Sequence, residues 1–96
     1  MDRQEIIDNA KYLHNFLCDI SEKITSENPD IETTVDVTRH VVRKEYSDDY
    51  IYVSFLVSKN EMKDHIFNEH IGMSSYTDKY DVEAFVKKVN DLVNNL

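Results

Sequence analysis

Residues 50 to 58 read Tyr50-Ile51-Tyr52-Val53-Ser54-Phe55-Leu56-Val57-Ser58, and this stretch decides the fold class. Ile51, Val53, Phe55 and Val57 alternate with Tyr50, Tyr52, Ser54 and Ser58, the period-of-two pattern of a strand with one apolar face. Ser47, Asp48 and Asp49 just before it supply turn chemistry. Further upstream, Thr33, Thr34, Val35, Val37, Thr38, Val41 and Val42 are β-branched residues that suit a pleated surface, so an antiparallel hairpin is expected. Its first strand is less regular. Val35, Val37 and Val41 share a parity with Arg39 and Arg43, which implies either a bulge that shifts the register or a strand whose end leaves the core.

Helices are expected on both sides of the hairpin. On the N-terminal side, Ile6, Ala10, Leu13, Leu17, Ile20 and Ile24 recur at steps of three and four, flanked by Ile7 and Phe16, which makes one continuous apolar stripe. Asp2 and Glu5 have capping-box spacing at its start, and Asn28 before Pro29 marks its end. On the C-terminal side, Val82, Phe85, Val86, Val89, Leu92, Val93 and Leu96 form a wide apolar face. Asp81 is the expected N-cap there, and Tyr80 and Phe85 have the spacing of a hydrophobic staple.

Residues 60 to 75 admit two readings. Ser58 and Glu61 have capping-box spacing and Gly72 could stop a helix, yet Met62 and Ile66 would then sit nearly opposite Phe67 and Ile71 on the helical wheel. A strand puts Phe67, Ile71 and Met73 on one face and supports a hairpin that is marginal alone, so the strand reading is preferred. The expected fold is α+β: a long N-terminal helix, an antiparallel β-hairpin with a third strand, and a C-terminal amphipathic helix packed on one sheet face.

Composition narrows the function classes. The chain has 96 residues with 19 Asp plus Glu against 11 Lys plus Arg, a formal charge of −8, one Gly and one Pro. That length suits a single domain over residues 1–96. A hydrophobic share of 41% that includes six Tyr and four Phe argues for a folded chain. The acid surplus disfavours direct binding to nucleic acid or anionic membranes. A lone Cys18 cannot form an internal disulfide, and neither a secretion-signal pattern nor a membrane-length apolar run is present, so a cytoplasmic location is expected. Usage rich in Asn, Lys, Ile, Asp and Tyr but poor in Ala and Gly suggests an AT-rich coding genome, such as that of a low-GC bacterium or its phages.

Two charged surfaces are candidate binding sites. Glu5, Asp8, Asp19 and Glu22 share a face of the first helix with Tyr12 and Asn15 and could imitate a phosphate backbone. Residues 5 to 22 span about 25 Å, over which duplex DNA presents on the order of 15 phosphates, so four carboxylates are too sparse alone. Lys11 and Lys23 lie within a turn of Asp8 and Asp19, as on an ordinary solvated helix face. Mimicry would need Glu32, Asp36, Asp48, Asp49 and other loop acids. Conversely, Arg39, His40, Arg43 and Lys44 form a cationic stretch beside Tyr46, Tyr50 and Tyr52. Arg and Tyr are favoured at protein interfaces, and such a stretch could also hold a small anion, although cations at a strand edge equally serve to deter aggregation.

Other chemistry is thin. His14 with Cys18, and His65 with Glu69, have i, i+4 spacing, but two ligands do not make a zinc site, and neither a metal nor a cofactor is expected. There is no Gly-rich phosphate loop or nucleophile elbow, so no enzymatic activity is expected. Both helices carry wide apolar stripes that could leave area for a two-fold contact, and monomer and homodimer fit about equally. The function expected from these features is that of a small acidic intracellular binding protein. It would inhibit or regulate a larger protein, in the manner of a phage protein directed against a host enzyme or defence system. The competing expectation is a small-ligand or nucleotide-binding module built on the basic, Tyr-flanked strand.

Overall fold

The computed structural model describes residues 1–41 and 49–96, with the backbone alone at His40, Val41 and Asp49. Five elements follow in chain order: α1 (Arg3–Glu27), β1 (Ile31–Val41), β2 (Asp49–Lys59), β3 (Asp64–Met73) and α2 (Lys79–Asn94). The α+β architecture expected from the sequence is the one observed.

Helix α1 starts where the cap chemistry places it. The Asp2 carboxylate accepts the Glu5 N–H at 2.8 Å, and Glu5 Oε1 accepts the Asp2 N–H at 3.3 Å, so two of the helix's orphan donors are satisfied reciprocally. At the other end the Asn28 N–H reaches the Ile24 carbonyl at 2.9 Å, and the Asn28 carbonyl accepts the Ile31 N–H at 3.0 Å. Asn28 thus closes α1 and opens β1. Ile6, Ala10, Leu13, Leu17 and Ile24 are buried along the expected stripe.

The three strands form an antiparallel meander with β2 in the centre. Ile51, Val53, Phe55 and Val57 are buried on one face, with Val53, Phe55 and Val57 fully so. Complete burial of one such side chain is worth roughly 1.5–3 kcal/mol against exposure. Pairing of β1 with β2 runs without a shift from Ile31↔Lys59 to Val41↔Asp49. The irregular parity of β1 is therefore no bulge: Val35 is half-buried, but Val37 is 44% exposed and Arg39 is exposed, so the strand runs beyond the core. The register shift lies instead between β2 and β3, where Phe67 opposes Val57 and His65 opposes Ser58. Ile66 is the extra residue, and it is exposed. The turn expected at Ser47 to Asp49 lies outside the described residues, apart from the backbone of Asp49.

Residues 64–73 form a strand, with Ile71 and Met73 buried and Phe67 half-buried on the helix side. Gly72 is part of this strand and stops no helix. The β2–β3 turn uses three consecutive residues at positive φ, Asn60 at 55°, Glu61 at 57° and Met62 at 69°. Asn tolerates that region, whereas Glu and Met are strained in it.

Helix α2 begins earlier than its sequence suggests. Asp78, not Asp81, is the N-cap, accepting the Tyr80 N–H at 2.8 Å and the Asp81 N–H at 3.2 Å. Asp81 returns the contact by accepting the Asp78 N–H at 3.0 Å. The two aspartates stand three apart and form a capping box in which Asp replaces the usual Glu or Gln, so the one nearer the apolar run is the third helical residue. Tyr80 is 67% exposed and acts as no staple.

Both helices cover the same face of the sheet. Helix α1 packs over β1 and β2, α2 packs over β3, and the helices touch each other. Val82, Phe85 and Val89 enter the shared core, with Val86, Leu92 and Val93 packed at its margin. Between β3 and α2 the chain is pinned by Thr77, whose hydroxyl accepts the Ser74 N–H at 3.0 Å and donates to the Gly72 carbonyl at 3.2 Å. No described helix is long and apolar enough to cross a membrane.

Candidate interaction surfaces

Because both helices lie on one side, strand parity sorts the candidate residues between two surfaces. In β2 the odd positions, Ile51 to Val57, point into the core, so the even positions carrying Tyr50, Tyr52, Ser54 and Leu56 belong to the opposite face, which among the described residues is bare. Register extends this face across the sheet, through Thr38↔Tyr52↔Gly72 and Asp36↔Ser54↔His70.

An aromatic cluster lies at one end of this face. The rings of Tyr50 and Tyr52 meet edge to face, with centroids 5.2 Å apart and planes at 90°. The imidazole of His70, diagonal to Tyr52 on β3, has its centroid 5.9 Å from the Tyr52 ring. The absence of a Cβ at Gly72 lets Tyr52 lie this close to β3, since a Cβ there would stand 2.8 Å from Tyr52 Cε1. Tyr52 remains 40% exposed. Glu32 and Asp36 are exposed on the same face.

Arg39 is not part of this cluster. It stands opposite Ile51, whose side chain is buried on the helix side of the sheet, and it lines a groove between α1 and the β1–β2 ladder. The sequence places Arg39 and Tyr52 in one basic, aromatic stretch, whereas the sheet places them on opposite faces. His40 pairs in register with Tyr50. Arg43, Lys44, Tyr46 and Asp48 lie outside the described residues, and of Asp49 only the backbone pairing with Val41 is described.

The acidic candidates on α1 are all exposed. Glu5 is engaged in the capping box, and Asp8 accepts from the Gln4 amide at 2.9 Å. Asp19 and Glu22 border a shallow depression with Lys23 and Ser26. Glu32 and Asp36 cannot join them in one surface, because α1 covers the opposite side of the sheet. The acid is distributed around the molecule.

Two further pairs separate in chemistry. His14 Nε2 and Cys18 Sγ lie 3.6 Å apart on exposed α1, while His65 and Glu69 belong to a strand, where four residues span about 13 Å. The helical convergence that would bring His65 and Glu69 onto one ion does not occur. Among the described residues no three His, Cys, Asp or Glu side chains gather as a metal site would require. Glu69 instead faces Lys88 of α2, with an Nζ–Oε2 separation of 3.9 Å.

His70 and Gly72 are the members of the aromatic cluster that sequence reasoning passed over. Their signal was present in the strand reading of residues 64–73, but it needs the β2–β3 register to become visible. Comparison with known protein families, with curated protein sequences and with solved structures finds no match.

Proposed function

We propose that this chain is a non-enzymatic binding protein that inhibits or regulates a larger protein, docking through the bare face of its sheet onto a cationic surface. The observation that carries this reading is the cluster of half-buried Tyr50 with exposed Tyr52 and His70 at one end of this face, next to Asp36, with Glu32 farther along β1. Tyr offers large contact area at small entropic cost and concentrates at interface centres. The carboxylates, on a chain of charge −8, favour a partner rich in Lys and Arg and speed the encounter. Such cations can also stack on the Tyr rings.

Size limits the interface. Three strands of about ten residues present on the order of 450–500 Å2, against about 800 Å2 per partner in a standard complex, so the partner must also contact a sheet edge or a flanking loop. The test is a comparative pull-down from the extract of a host cell, using the wild-type chain and a Tyr52→Ser, Asp36→Lys variant at low and high salt. A partner retained by the wild type, released by salt and lost by a variant of unchanged melting temperature supports the reading. A partner retained equally by the variant overturns it.

A further inference from the structure

The apolar stripe of α1 carries Ile or Leu at most of its steps, but Ala10 is small. Ala10 falls where β1 leaves the core, so helix and ladder separate over a groove of about 600 Å3. That volume lies within the range of about 300–1,000 Å3 typical of small-molecule sites. Its floor is apolar, built from Ile7, Ala10, Val37 and Ile51, and Val37 is 44% exposed. Its polar lining is one-sided. Among the described side chains, Lys11, His14 and Arg39 border it with Asn15, and no carboxylate does.

We infer that this groove binds a small amphiphile with an anionic head, its apolar body on Val37 and Ile51 and its carboxylate at Lys11 and His14. Charge complementarity selects the head group, because an anion meets attraction here and repulsion over most of the remaining surface. The apolar floor selects against a bare anion, since phosphate or acetate would bury none of it. The site is separate from the bare sheet face, on the other side of the ladder.

Isothermal titration and 15N–1H correlation spectra with decanoate, below its micelle concentration, test the inference, with decanol and inorganic phosphate as the other arms. The expected result is saturable binding of one decanoate per chain, with shifts at Lys11, His14 and Val37. Decanol and phosphate should each bind at least about tenfold more weakly, a difference of about 1.4 kcal/mol. Lys11→Glu and Val37→Glu, both at exposed positions, should each weaken decanoate by a similar factor without changing the melting temperature of the free chain by more than a few degrees. Equal binding of decanol, binding unaffected by Lys11→Glu, or no saturable binding of decanoate overturns the assignment. Should Val37→Glu unfold the chain, Lys11→Glu alone decides.

Discussion

The Tyr52 ring lies over the backbone of Gly72, so close that a Cβ on Gly72 would meet Tyr52 Cε1 at 2.8 Å. The central strand thereby fills with an aromatic ring the space its edge neighbour leaves empty, a cross-strand device that offsets the weak packing of a strand glycine. Gly72→Ala should therefore displace the Tyr52 ring from His70. The ring is at the far end of a half-exposed side chain, and Ala suits a strand better than Gly, so stability should change by less than about 1 kcal/mol. Aromatic proton shifts of Tyr50, Tyr52 and His70 read the displacement, and unaltered shifts would show that the ring does not depend on the glycine.

The Asp2 cap predicts a specific pH dependence. The carboxyl is held below the usual carboxylate range, chiefly by the Glu5 amide N–H it accepts, then by the Glu5 side chain, against a smaller opposing effect of burial. A lowered folded pKa means that the ionised cap stabilises the fold at and above the usual carboxylate range, and that this contribution is lost as pH falls through the lowered value. Asp2→Asn keeps an acceptor but removes the charge. It should melt below the wild type at neutral pH, and the gap should narrow from about pH 4 downwards. A gap independent of pH would remove the electrostatic account of this cap.

The left-handed turn between β2 and β3 stores strain at two residues. Glu61 and Met62 hold φ of 57° and 69°, a region that costs a side-chain-bearing residue roughly 1–2 kcal/mol. Glu61→Gly relieves that strain while widening the unfolded ensemble, and the balance should be a gain of about 0.5–1 kcal/mol. Thermal denaturation would show a rise of a few degrees. A fall would mean that the Glu61 side chain makes a compensating contact.

Thr77 joins the end of β3 to the start of α2 through its hydroxyl and is only 9% exposed. Thr77→Val preserves shape and leaves the Ser74 N–H without its acceptor, which should cost about 1–2 kcal/mol. That corresponds to a loss of roughly 4–16 °C in melting temperature. Thr77→Ser retains the hydroxyl and should recover most of the loss in the same melting experiment.

Much of this molecule was legible because its signals are local. The step of three and four from Ile6 to Ile24, the Asp2–Glu5 box and the alternation from Ile51 to Val57 each involve residues a few positions apart, and each matches the structure. The start of α2 was misread for an equally local reason. Asp78 and Asp81 are both competent caps, and the choice between them depends on how Thr77 and Ser74 turn the chain out of β3.

The binding surfaces were not local in this sense. Periodicity established two amphipathic helices and an antiparallel sheet, since a side chain's direction repeats with the backbone's own period. Which sheet face the helices cover, and therefore whether Arg39 and Tyr52 belong together, depends on strand register and packing between distant segments. Only the folded chain divides them, placing Tyr52 on a bare face with His70 and Arg39 beside Ala10 and Val37 in a groove. Adjacent positions in paired strands point to opposite sides, so neighbours along the chain became strangers in space.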